Sequence, residues 1–270
     1  MSLPVAALIV LGAAALAGLA FVLLDRTSAR PLMPEAARGG PTLIVAGTMF
    51  AVLLAFVTLA AFQTYDGAKA GAASEAAAVL DMARTAALFS PHERDQLRAD
   101  FVCYGRAVVD QEWPAMRAGH PSPVVDHWIG ANRALFGRLA LNSPRAQLGF
   151  QDLLNLANTR TAGRQQRLNE DTPSVPTPLW LALVLGGCIV VALQLALAGT
   201  GVRLHAILVS GLAALIASGL LVVYLLDHPY HSHVGGIQPG AMRRTLVMMG
   251  NLEPNLVVRC SRDRTFRPSR

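Results

Sequence analysis

The sequence predicts an all-α protein with four membrane spans and a soluble helical bundle inserted between spans two and three. Three observations lead there. Charged residues make up 15% of the chain and hydrophobic ones 53%, whereas soluble domains carry about a quarter charged. Four apolar runs, at 3–24, 42–62, 178–199 and 204–226, each reach the ~20 residues that cross a hydrocarbon core. Between the second and third runs the pattern changes to capped, amphipathic helices with 12 basic and 12 acidic side chains, and no period-two alternation appears. The chain divides accordingly into 1–62 (two spans), 63–177 (soluble insert), 178–226 (a membrane hairpin) and 227–270 (a basic, partly disordered tail holding a short helix).

The first run lacks a basic leading segment, exceeds the apolar core of a signal peptide, and is followed by Arg26 and Arg30. It therefore reads as a retained span. Arg30-Pro31 to Gly39-Gly40-Pro41 forms a turn-rich connector. The second run is uncharged through Phe62 and then becomes Ala-rich without proline as far as Leu88. Ala is the best helix former, so one helix is expected to leave the bilayer and continue into water, coupling the membrane part rigidly to the insert. One face carries Thr48, Ala51, Ala55, Thr58 and Phe62 at three- and four-residue steps, and leads on to Tyr65 beside Asp66. Small residues of this kind serve close helix packing. They equally suit a weakly polar pore wall narrowed by Phe62. Residue type alone leans toward packing.

Beyond the membrane, Glu75 stands among Ala72, Val79 and Met82. It is either a solvated charge or a buried one that needs a cation, with Arg106, Arg160 and Arg164 as candidates. Ser90-Pro91-His92-Glu93 announces a helix with Ser at the cap, Pro in the first turn and Glu closing the box. Ser122-Pro123 and Ser143-Pro144 repeat the device. The first of these helices shows Leu97, Phe101, Tyr104 and Val108 on one stripe and is expected to end before Pro114, after Glu112 and Trp113. The third ends on Arg160, Arg164 and Arg167, which share a face. Cations at a helix C-terminus suit its dipole; alternatively they pair with Glu75, Glu112 or lipid phosphates.

Three prolines between 172 and 178 lead back to the membrane, where Trp180 suits an interfacial anchor. Gly199-Thr200-Gly201 turns the hairpin. His228, His231 and His233 are weak metal candidates beside Asp227. Pro229 interrupts them and no i, i+4 pair of His exists, so a polar interfacial loop is the favoured reading and no metal or other cofactor is expected. A short helix from Pro239 presents Met242, Leu246 and Met249 to the bundle or the bilayer surface, and 259–270 reads as disordered. Cys103, Cys188 and Cys260 are odd in number and far apart, so no disulfide framework is expected, as suits reduced cytoplasm.

Lys and Arg number 12 in 63–177 and 7 from 227 onward, against 3 in 25–41 and 1 at Arg203. That asymmetry predicts that the insert and both termini lie on the cytoplasmic side of the membrane. The net charge of +6 is no nucleic-acid footprint, because the insert is balanced and the excess sits largely in the tail. Nucleophile elbow, P-loop, paired-His helix and dinucleotide loop are all missing, so an enzyme is not expected.

Several elements in order carry a family resemblance. They are Phe62-Gln-Thr-Tyr65-Asp66 leading to Ser74-Glu75-Ala76, Tyr104 followed by Glu112-Trp113-Pro114, Arg164-x-x-Arg167-Leu168 before Pro176-x-Pro178-Leu-Trp180, and Asp227-x-Pro229-Tyr230. Together they resemble the bacterial bestrophin-like membrane family, long described only as a domain of unknown function and remotely similar to the bestrophin ion channels. Glu-Trp-Pro after a Tyr-bearing helix is the most specific piece. The resemblance implies a homo-oligomer, with the pentamer of the bestrophins as its pattern, set in membrane lipid and passing inorganic ions. It makes Thr48, Ala51, Ala55, Thr58 and Phe62 the pore face on the second transmembrane helix. It gives Tyr65, Asp66, Glu75, Tyr104, Glu112, Trp113, Arg160, Arg164 and Arg167 structural or gating roles. No acidic cluster of the kind that clasps calcium in the animal channels is present. Two functions from different classes follow: a passive ion channel, anions slightly favoured, or a non-conducting scaffold or sensor whose insert binds a cytoplasmic partner.

Overall fold

The structure is a computed structural model that describes residues 3–26, 36–169, 174–197, 202–230, 235–254 and 256–260. Every regular element among the described residues is a helix. The longer α-helices are α1 (Leu3–Arg26), α2 (Ala36–Thr85), α3 (Pro91–Ala107), α5 (Pro123–Phe136), α6 (Pro144–Asn169), α7 (Thr177–Ala196), α8 (Val202–Asp227) and α9 (Gly240–Leu252), with the short α4 (Trp113–Arg117) between α3 and α5. They fall into two compact units, one comprising 1–65 and 173–236, the other 66–172 and 237–270. Among the described residues, four helices are long and apolar enough to cross a membrane, over Leu3–Asp25, Gly40–Leu88, Thr177–Ala196 and Arg203–Asp227.

In the first unit, α1 lies along α8 and buries Phe21. The approach depends on a missing side chain: a Cβ on Gly18 would fall 2.5 Å from the Ser210 hydroxyl oxygen. The core of the unit joins Phe50, Val57 and Ala61 of α2 to Leu183 and Val190 of α7 and to Ile216 and Val223 of α8. Asp227, fully buried at the end of α8, fastens the chain that leads into α7. Its carboxylate accepts from the Ser174 amide at 2.7 Å, the Val175 amide at 2.9 Å and the Trp180 indole N–H at 3.4 Å. The backbone donors just ahead of the α7 cap are thereby satisfied.

The second unit is a bundle of α3, α5, α6, α9 and the later part of α2. The Ser90 cap closes as a full box: the Ser90 hydroxyl accepts from the Glu93 amide, and the Glu93 carboxylate accepts from the Ser90 amide at 3.1 Å. α9 docks on this bundle. Met242 and Met249 are buried, Leu246 packs against Gly105, and the Thr245 hydroxyl donates to the Ala76 carbonyl at 3.0 Å.

Three expectations need correction. The connector expected to reach Pro41 is helical from Ala36, with Pro41 inside α2, where it removes one intrahelical hydrogen bond near the helix start without ending the helix. The helix expected to stop before Pro114 continues through a π-helical segment, Val108–Glu112, into α4, where Pro114 occupies the first turn. A wider π-turn re-phases the ladder there. Cys103 and Cys260 form a disulfide with Cα atoms 5.4 Å apart, although 157 residues separate them in the chain. The described part of the tail contacts α3: Arg106 donates to the Val258 carbonyl at 3.0 Å, and Arg98 pairs with Glu253, while 261–270 lie outside the described residues.

Candidate functional site

Two sets of residues stand out, one in each unit. Along the membrane part of α2, the core-facing positions Phe50, Val57 and Ala61 are buried, and the rest of the circumference is left over. This remainder has two flanks. Thr48, Ala51, Ala55 and Phe62 are exposed and Thr58 half-buried; Val45, Met49, Val52, Phe56 and Leu59, all exposed, recur at the same helical spacing on another flank. The first flank is small and weakly polar, the second bulky and apolar. Both threonines satisfy themselves locally, Thr48 donating to the Ile44 carbonyl at 2.8 Å and Thr58 to the Leu54 carbonyl at 2.7 Å. Apart from the half-buried Thr58 the small face is exposed, and the core cluster takes Phe50, Val57 and Ala61 instead. Just beyond the small face, Tyr65 donates to the Gly235 carbonyl at 2.9 Å. Asp66 is exposed.

In the bundle, seven of the sequence candidates converge: Glu75, Tyr104, Glu112, Trp113, Arg160, Arg164 and Arg167. The convergence starts from a close crossing of α2 and α6. A Cβ on Gly163 would fall 2.7 Å from the Glu75 amide nitrogen and 2.8 Å from the Gly71 carbonyl oxygen. At that separation Arg167, fully buried, spans two carboxylates. Its Nε donates to Glu75 Oε2 at 2.7 Å and its Nη2 to Glu112 Oε2 at 2.5 Å, with the guanidinium 4.7 Å over the Trp113 ring. Glu75 also accepts from the Tyr104 hydroxyl at 2.6 Å. Arg164 takes the other side of Glu112, Nε to Oε1 at 2.9 Å, and reaches Asp126 at 2.7 Å. The Trp113 indole N–H donates to the Ile237 carbonyl at 3.1 Å.

Physical chemistry fixes the charge states. Burial acts to raise Glu112, but the Arg164 hydrogen bonds and the Arg167 charge outweigh it and hold the carboxyl below its ordinary value. For Arg167, burial opposes the charge, and Glu75 and Glu112 more than reverse that, so it stays protonated. Burial, reinforced by Glu75, pushes the Tyr104 hydroxyl well above its usual range, which keeps it a donor.

Of the alternatives that the sequence left open, pairing of the α6 arginines with Glu75 and Glu112 is the one found, through Arg167 and Arg164. Glu75 takes Arg167 rather than Arg106, Arg160 or Arg164; Arg106 turns outward to the tail, and Arg164 is held by Glu112. Asp126 and Met116 also belong to this cluster and were not singled out from sequence. Asp126 lies in the first turn of α5, a position that signals only favourable interaction with the helix dipole. His228 has a packing role: its ring stacks on Tyr224 with centroids 4.4 Å apart and its Nδ1 lies 3.1 Å from the Tyr224 carbonyl. His231 and His233 lie outside the described residues, and among those described no group of three metal-ligating side chains occurs.

Comparison with known proteins bears on the family and the fold. Residues 7–235 match the bestrophin-like domain. The fold is similar to crystal structures of a bacterial bestrophin homologue from Klebsiella pneumoniae carrying single substitutions. One gives a TM-score of 0.67 at 13% identity, covering 92% of this chain and 99% of the other. A second gives 0.63 at 15% identity, with 92% and 99% covered. A crystal structure described as a membrane protein gives 0.62 at 15% identity, with 90% and 96% covered. No curated protein matches the sequence.

Proposed function

Since this chain belongs to the bestrophin-like family, we propose that it is an oligomeric, passive ion channel whose second transmembrane helix lines the pore. The observation that carries the reading is the division of the α2 surface. A face of Thr48, Ala51, Ala55, Thr58 and Phe62 is small, uncharged and unused by the core of its own chain. In a lone subunit in lipid such a face gains nothing over the bulky flank beside it. Gathered around an axis it forms a wet, weakly polar wall, and Phe62 supplies an apolar constriction of the kind that gates by dewetting. One helix per subunit encloses a pore only with about four or more copies, so a closed ring, on the pattern of five, is part of the reading.

Anions are the preferred cargo, because the face bears no acidic side chain of the kind whose rings select cations. The bundle and both termini lie on the cytoplasmic side of a bacterial plasma membrane, as the Lys and Arg asymmetry supports. The Cys103–Cys260 bond is then a redox-responsive link rather than a permanent staple, since stable disulfides are rare in that compartment.

Native mass of the detergent-extracted complex, followed by halide flux into liposomes from the same sample, tests the reading. A pentamer that passes halide, with flux raised or selectivity altered in Phe62→Ala, is the expected result. A monomer or dimer without flux overturns it and turns attention to a partner of the bundle.

A further inference from the structure

Arg160 departs from its neighbours. Arg164 and Arg167, one and two turns further along the same face of α6, each hold a carboxylate. Arg160 is 4% exposed, yet its Nε and Nη1 have no hydrogen-bond partner among the described residues. Its guanidinium lies 4.9 Å over the Tyr104 ring. Asn132 on α5 is 1% exposed, and both its Oδ1 and its Nδ2 are likewise without a partner. Both side chains line one cavity of about 220 Å³ between α5 and α6. Arg133 also faces this cavity, no acidic side chain lines it, and Phe136, Phe150 and Leu154 form apolar walls. Its mouth reaches solvent through the exposed Arg133, Leu154 and Asn158.

A buried polar atom without a partner is costly, and a buried cation without an anion more so. Glu75, which contributes electrostatically to Arg160, is already bonded by Arg167 and Tyr104. Cation–π contact with Tyr104 offsets part of the charge and satisfies none of the N–H groups. Water can serve Asn132, but it brings no charge. We propose that the α5–α6 cavity is a binding site for a small monovalent anion, held by Arg160 and Asn132 with Arg133 at the mouth. A halide and a short aliphatic carboxylate share that chemistry. The volume and the apolar walls favour the carboxylate, whose alkyl end would lie against Phe136 and Phe150. The site lies wholly within the bundle and does not depend on the chain conducting ions.

Equilibrium dialysis of the full-length protein in detergent tests the site, with radiolabelled butyrate as probe, acetate and bromide as competitors, and a bulky sulfonate as the only other anion. Saturable binding of one butyrate per chain is expected. Arg160→Gln should weaken it by about ten- to a hundredfold, the loss that goes with a charged hydrogen-bond partner, and Arg117→Gln should leave it unchanged. Ala157→Leu, which fills the cavity while keeping Arg160, should abolish it and serves if Arg160→Gln does not fold. Competition by acetate weaker than by unlabelled butyrate assigns the apolar walls to an alkyl chain; saturable binding of radiolabelled bromide, run as a second probe, with no butyrate bound assigns the site to a halide. Binding of neither probe, or equal binding by wild type and Ala157→Leu, overturns the proposal. Liposome flux and the Phe62 variant judge the pore separately.

Discussion

A single guanidinium holds the centre of the bundle. Arg167 bridges Glu75 and Glu112 with no exposure to water, so replacing it leaves two buried carboxylates without their shared cation. Arg167→Met should destabilise the bundle by ~3–5 kcal/mol, the usual cost of breaking a buried pair from one side, measurable as a lowered midpoint in detergent-solubilised unfolding. Arg167→Lys should recover only part of this, because an ammonium lacks the fork that reaches both partners. Acid acts on the same cluster through Glu112. Its folded pKa lies below the ordinary carboxylate value, so the stability it contributes is present above that value and is lost as pH falls through the folded one. A stability profile should therefore drop below about pH 4, and Glu112→Gln, less stable at neutral pH, should show a shallower drop.

At the scale of elements, the disulfide and the ion pairs of Arg98 and Arg94 with Glu253 tie residues 253–260 to α3. Reduction, or Cys103→Ser, should speed amide exchange in 256–260 and leave α9 protected, since Met242 and Met249 are buried independently of the bond. Exchange that is unchanged on reduction would remove the link from the account. The tail also marks where sequence reasoning stopped. Spans, caps and the shared face of Arg160, Arg164 and Arg167 were legible because each is a local pattern of period or composition. Which of the named arginines Glu75 takes was not, because it depends on how α6 crosses α2 at Gly71 and Gly163, a contact across 92 residues. The disulfide was hidden for the same reason. The π-helical turn escaped because Pro114 signals a stop unless the ladder is already re-phased ahead of it.

At the scale of the whole molecule, α2 carries both the small uncharged face of the membrane part and Glu75 of the bundle along one helix. The central claim is that this face lines a pore, and modification of introduced cysteines tests it most directly. In a Cys188→Ser background, which removes the exposed thiol, a charged thiol reagent is applied during halide flux to Ala55→Cys and, on the bulky flank, to Phe56→Cys. Flux through Ala55→Cys should be blocked and flux through Phe56→Cys left intact. Block at Phe56→Cys with Ala55→Cys untouched would contradict the account.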